Sequence, residues 1–141
     1  MGGPVQVVIK DRTISNAKLR IRLFYLLDGR VRFEELHTLT RASYQVRNLF
    51  QTRLLPKFAL PNGATVRFTR ESNYGSSEFQ KRFPGNMGLV ELSGVGFNPS
   101  RSQAVFYINH FCGLCGGGRY VLMEKVDGVW HVRDEHYIWS S

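Results

Sequence analysis

The chain has 141 residues, 43% of them hydrophobic, with ten Phe, six Tyr and two Trp, enough length and apolar content for one globular domain with a core of its own. Its formal charge of +8 is unevenly placed: residues 1–81 hold 14 Lys/Arg against 6 Asp/Glu, and residues 82–141 hold 5 against 5. No apolar run approaches the roughly 20 residues that cross a bilayer as a helix, and Met1-Gly2-Gly3-Pro4 lacks the basic-then-apolar order of a signal peptide. The chain therefore reads as soluble, and two locations stay open: outside the cytoplasm with a leader removed, or cytoplasmic.

In chain order, Val5 to Ile9 is a β-rich run, followed by the polar stretch Lys10 to Thr13 and the helix-cap residues Ser15 and Asn16. Residues 18–36 admit two readings. A hairpin about Asp28-Gly29 pairs Leu26 with Val31, Phe24 with Phe33 and Arg22 with Glu35. A helix over 16–27, stopped near Gly29, gathers Leu19, Leu23, Leu26 and Leu27 on one side. The helix is the reading preferred. Next, Leu39, Ala42, Val46, Leu49, Phe50 and Leu54 recur at helical spacing, which predicts an amphipathic helix capped by Thr38 or Thr40 and limited by Pro56. After the turn Pro61-Asn62-Gly63, residues 64–69 alternate as a strand. Ser77-Glu78-Phe79-Gln80 resembles a capping box opening a short helix that Pro84-Gly85 stops.

From Gly88 onward the period becomes two. Residues 89–97, 103–111, 119–126 and 129–133 read as strands of an antiparallel meander, joined by Asn98-Pro99-Ser100-Arg101, by the cysteine loop and by Asp127-Gly128. Ile138 and Trp139 add a last strand or an apolar plug. The expected fold class is α+β: one domain over 1–141, with a mainly helical, basic part over 1–85 packed on one face of a curved antiparallel sheet over 86–141.

Cys112 and Cys115, the only cysteines, sit in His110-Phe111-Cys112-Gly113-Leu114-Cys115-Gly116-Gly117-Gly118. A thioredoxin-type pair opens a helix whose N-terminal dipole lowers the thiol pKa. Here three glycines and a strand follow, so that device is missing. A structural zinc site needs four N/S ligands, and His110 with the two cysteines supplies three at most, leaving His37, His131 or His136 to complete it by the accident of folding. The leading reading is a structural loop, reduced or bridged, whose glycines supply positive φ at several positions. Reversible redox work comes second and metal binding last.

Other constellations are weaker. The sequence contains no His-Glu-x-x-His, no Gly-x-Ser-x-Gly and no phosphate-binding loop. Glu91, Glu124 and Asp134 are candidates to line a pocket but are expected to be solvated. His131, alternating outward beside Trp130, reads as a surface residue. Phe106, Tyr107 and Phe111 are candidates for base stacking, with core packing the commoner role. Fourteen of the nineteen basic residues are Arg, whose planar fork suits phosphate and carboxylate; a GC-rich genome gives the same bias without a ligand.

Phe83-Pro84-Gly85, Leu89 to Asn98, Gln103 to Tyr107, Cys112 to Gly118 and Asp127-Gly128-Val129-Trp130, together with Val7 to Thr13, resemble a widespread group of bacterial proteins. That group shows YPG-, LSRVGFN-, CGxLCGxG- and DGxW-like motifs in this order. Gly94 stands where Arg is common in it. The resemblance implies an extracytoplasmic home and an oxidised Cys112/Cys115 pair, and it implies no activity. The DGxW ending also occurs in cone-shaped helix-on-sheet domains, including NTF2-like ones.

The expected function is a non-catalytic binding or accessory domain that meets a polyanion or a protein through its basic part, with Arg41, Arg47, Arg53, Arg67 and Arg70 as the candidate contacts. No cofactor, metal or catalytic residue is expected. The rivals are a thiol-disulfide enzyme using Cys112 and Cys115 with His110 as neighbouring base, and a hydrolase with a polar pocket under the helices.

Overall fold

The computed structural model describes residues 6–14, 51–60 and 63–140. The expected helix over 16–27, its hairpin rival over 18–36 and the 39–50 portion of the second helix lie outside them. Among the described residues 54% are strand and 9% helical. The expected α+β architecture, NTF2-like or otherwise, with helices packed on an antiparallel sheet, is therefore corrected to a mixed β-sheet among the described residues.

One reason for the difference can be seen at residues 51–54. Helical spacing puts Leu54 on an apolar helix face, yet it forms an antiparallel bridge with Arg12 and is 71% exposed. The amide of Thr13 donates to Arg53 O at 2.8 Å, and that of Leu55 to Asp11 O at 2.8 Å. Main-chain groups already bonded to a neighbouring extended segment are not available to an i→i−4 ladder. Apolar spacing says nothing about that competition.

The sheet has seven strands: β1 (Gln6–Lys10), β2 (Thr65–Thr69), β3 (Asn86–Leu92), β4 (Gly96–Phe97), β5 (Gln103–Phe111), β6 (Gly117–Val126) and β7 (Val129–Ser140). Their order is β2-β1-β3-β5-β6-β7, with β4 also paired to β5. β1 runs parallel to both β2 and β3, whereas β3, β5, β6 and β7 are antiparallel in succession. The C-terminal meander is thus present, and β1 is inserted beside it. Adjacent residues Val8 and Ile9 of β1 are both buried, as an inner parallel strand covered on both faces requires.

Between β2 and β3 lies helix α1 (Ser77–Arg82). Its N-cap is Ser76, one residue before the expected position, and the Ser76 Oγ accepts from the Phe79 amide at 3.1 Å. Phe79 and Phe83, four residues apart, bring their rings onto Val8 and Leu89, with Tyr74 and Phe111 partly buried against them.

Ser93–Val95 split the expected 89–97 strand into β3 and β4. The Ser93 Oγ accepts from the Tyr107 amide at 2.7 Å, which ties the break to β5. β6 begins two residues earlier than expected, and β7 runs on to Ser140, so Ile138 and Trp139 belong to a strand. The tight turn between them has positive φ at both Asp127 (50°) and Gly128 (78°), the backbone of a two-residue hairpin loop. The pairings place Val8, Leu89, Glu91, Tyr107, Asn109, Tyr120 and Trp139 on the face that α1 covers, and Phe97, Phe106, Met123 and Trp130 on the opposite face.

Candidate functional site

Cys112 and Cys115 are joined by a disulfide, with their Cα atoms 5.4 Å apart. A single 3-10 turn, Gly113–Cys115, carries the loop, and Leu114 at its tip is 93% exposed. β6 follows directly, so no helix dipole acts on Cys115. His110 lies within β5, and its Nε2 is 2.7 Å from the Met87 carbonyl, bound across the sheet to the main chain.

The glycines of this loop serve two different needs, which corrects the expectation that several adopt positive φ. Within the loop only Gly113 does, at 75°. Gly118 is required for space: a Cβ there would meet the Trp139 Nε1, the Tyr107 hydroxyl and the Asn109 Oδ1, all at 2.5 Å or less.

That hollow over Gly118 is the end of a polar chain crossing the α1 face. The Trp139 Nε1 donates to Tyr107 Oη (3.1 Å) and Asn109 Oδ1 (3.0 Å). The Asn109 amide donates to Glu91 Oε1 at 3.3 Å, the other Glu91 oxygen is 3.7 Å from Lys10 Nζ, and Lys10 donates to Ser72 Oγ at 2.6 Å. Glu91 is only 8% exposed, against the expectation that it is solvated. The signal was in its parity: Glu91 is two residues from Leu89 and shares the buried side of β3. Beside this chain Tyr74, Phe111, Cys112, Gly113, Gly116 and Trp139 line an apolar pocket of about 260 Å³, where the Phe111 and Trp139 rings stack at 5.5 Å.

Compared with family models, curated proteins and solved structures, the chain gives no match. Its chemistry is read from its side chains alone. No group of three or more His, Cys, Asp or Glu able to hold a metal occurs among the described residues, and none of their helices is long and apolar enough to cross a membrane.

The basic candidates divide. Arg41 and Arg47 lie outside the described residues. Arg53 is exposed, with its guanidinium bonded to Gln51 Oε1. Arg67, on β2, rests its guanidinium carbon 5.5 Å from the Phe83 ring centroid, and Arg70 is exposed just beyond that strand. On the same aromatic ring sits Arg82 at 5.3 Å, paired with Glu71. At the other end of the sheet Arg119 pairs with Glu135 at 2.9 Å and Arg133 with Glu124. Glu124 is thereby an ion-pair partner, while Asp134 Oδ1 accepts the Glu135 amide at 2.8 Å. Of the aromatic candidates, Tyr107 is buried in contact with Tyr120, ring centroids 5.0 Å apart, Phe111 belongs to the α1 face, and Phe106 is half-buried on the opposite face.

Proposed function

We propose that this protein is a non-catalytic binding domain whose basic β2–α1 edge meets a polyanionic partner. One contrast carries the reading. In β6 and β7, Arg119 and Arg133 are held in ion pairs with Glu135 and Glu124, leaving Lys125 the unpaired cation there among the described residues, and on α1 Arg82 is paired with Glu71. Around β2 and α1, the exposed Lys57, Arg67, Arg70 and Lys81 have no carboxylate within ion-pair reach among the described residues. Paired cations present little field beyond their partners, whereas unpaired ones at one edge add over a Debye length of about 10 Å. The bridged Cys112 and Cys115 support the companion reading of a protein at home in an oxidising compartment.

Binding of heparin and of a short DNA duplex, followed by fluorescence polarisation over a salt series, tests the proposal. Three phosphates neutralised by Arg67, Arg70 and Lys81 correspond to an affinity loss of about 40-fold between about 50 and 200 mM salt. The double change Arg67→Glu and Arg70→Glu is expected to abolish most of that dependence. No binding at low salt, or binding indifferent to salt, refutes it.

A further inference from the structure

The sheet face opposite α1 carries a second surface. Val95, Phe97, Ala104, Phe106, Met123 and Trp130 line a shallow apolar hollow of about 200 Å³. It draws on β4, β5, β6 and β7, because Phe97 is opposite Ala104, Phe106 opposite Val121 and Trp130 opposite Lys125. The Phe97 and Trp130 rings are 5.9 Å apart at 56°.

A cation rests on each of these two rings. Arg101 lies 4.8 Å above Phe97, and Lys125 lies 5.8 Å from the Trp130 centroid. Both are exposed and neither pairs with a carboxylate among the described residues. Arg101 is held there by a built turn: its φ is 55°, rare for a side chain of this size. The Asn98 Oδ1 keeps the turn closed by accepting the Ser102 and Gln103 amides, each at 2.9 Å.

We infer that this face binds single-stranded nucleic acid, with bases stacking on Phe97, Phe106 and Trp130 while Arg101 and Lys125 move from the ring faces to phosphates. The inference rests on the polyanion reading above and narrows it to a partner with both flat apolar rings and a repeating anion. Aromatic side chains interleaved with cations on one sheet face are the combination such strands require. A second copy laid on this face sets Arg101 and Lys125 against their own kind.

The test compares a short oligothymidylate with heparin on the intact protein and on Trp130→Ala, Phe97→Leu and Lys125→Ala. Expected are quenching of tryptophan emission by the oligothymidylate that is lost in Trp130→Ala although Trp139 remains, and an affinity loss of about 10-fold or more for it in that variant, with heparin affinity unchanged because heparin has no base to stack. Where Trp130→Ala is misfolded by circular dichroism, Phe97→Leu and the quenching on the intact protein decide in the same sense. Heparin binding without oligothymidylate binding, equal loss for both ligands in a folded variant, or preference for anionic vesicles overturns this inference and leaves the basic edge standing. Absence of both ligands removes the two proposals together.

Discussion

Gly118→Ala probes the point where the cysteine loop, β5 and β7 meet. A methyl at this position falls on the Trp139 Nε1, the Tyr107 hydroxyl and the Asn109 Oδ1 simultaneously. Gly118 is buried on β6 opposite Trp139 and Asn109, so the strand cannot move away without breaking two ladders. Overpacking of this kind costs about 1–3 kcal/mol. Displacing Trp139 also breaks its bifurcated hydrogen bond, about 1 kcal/mol. Replacing a strand glycine returns about 0.5–1 kcal/mol, leaving a net loss of about 1–3.5 kcal/mol.

Urea unfolding followed by tryptophan fluorescence measures this loss, and the emission of Trp139 shifts as its indole leaves the Tyr107–Asn109 pair. The decisive variant is Trp139→Phe, which removes the clashing Nε1. In that background Gly118→Ala is expected to cost less than it does alone, because contacting residues do not contribute additively. Gly113→Ala is the contrast. Its φ of 75° makes alanine strained by about 1–2 kcal/mol, but a Cβ there meets nothing within 4 Å, so Trp139→Phe gives no relief. A Gly118→Ala protein within about 0.5 kcal/mol of the parent, or one whose cost is the same with Trp139 and with Phe, refutes the close-approach account.

Four further outcomes are expected. Replacing Cys112 and Cys115 together with Ser releases a four-residue loop in the unfolded chain, a loss of about 2 kcal/mol by chain entropy, read as a fall in melting temperature of about 4–8 °C; an unchanged midpoint contradicts it. Phe79→Ala empties the centre of the cluster with Val8, Phe83 and Leu89 and is expected to cost about 3–5 kcal/mol in denaturant unfolding. Glu91→Ala strips the acceptor from Lys10 and Asn109 and is expected to cost about 2–3 kcal/mol, whereas Glu91→Gln, which keeps an acceptor for Asn109, costs about 1 kcal/mol; equal losses argue against the chain Lys10–Glu91–Asn109. Asn98→Ala orphans the Ser102 and Gln103 amides and is expected to cost about 1–2 kcal/mol, with amide exchange at both residues accelerated.

What was legible in the sequence was local alternation and turn chemistry. β5 matches its expected range, the Asp127-Gly128 turn is a tight hairpin, and the short helix after Ser76 ends at Arg82, just before Pro84-Gly85, because each depends on neighbours along the chain. What was not legible depends on partners far away. Nothing in Val5 to Ile9 says that β1 (Gln6–Lys10) enters the sheet between β2 and β3, parallel to both. Likewise, the helical spacing that ends at Leu54 cannot register that residues 11–13 hold the main chain of residues 51–55. In the candidate site, the cysteine pair and the exposed Arg67 and Arg70 were readable from residue type. A half-exposed strand with no preferred side leaves Glu91 in solvent, whereas its alternation with Leu89 puts it on the core face. The hollow beside Phe97 and Trp130 is not legible along the chain because its rings come from strands distant in sequence, and because the cation over Phe97 depends on an Arg with positive φ.

The two sheet faces divide the polar work between them. On the α1 face every polar group of the chain from Lys10 to Tyr107 faces another member, and Glu91 and Tyr107 are buried at 8% and 1% exposure; such a network fixes strand register and offers little to a ligand. On the opposite face Arg101 and Lys125 lie over aromatic rings and pair with no carboxylate among the described residues, a contact worth only about 0.5–1 kcal/mol at exposed sites. At the β2 edge Arg67 likewise leans on Phe83 and on no carboxylate among the described residues. Cations resting on π-faces are positioned without being neutralised, and they can change partners when an anion arrives. Under the proposed reading, that distinction between paired and unpaired cations, more than the total of +8, selects the residues whose substitution the binding assays test.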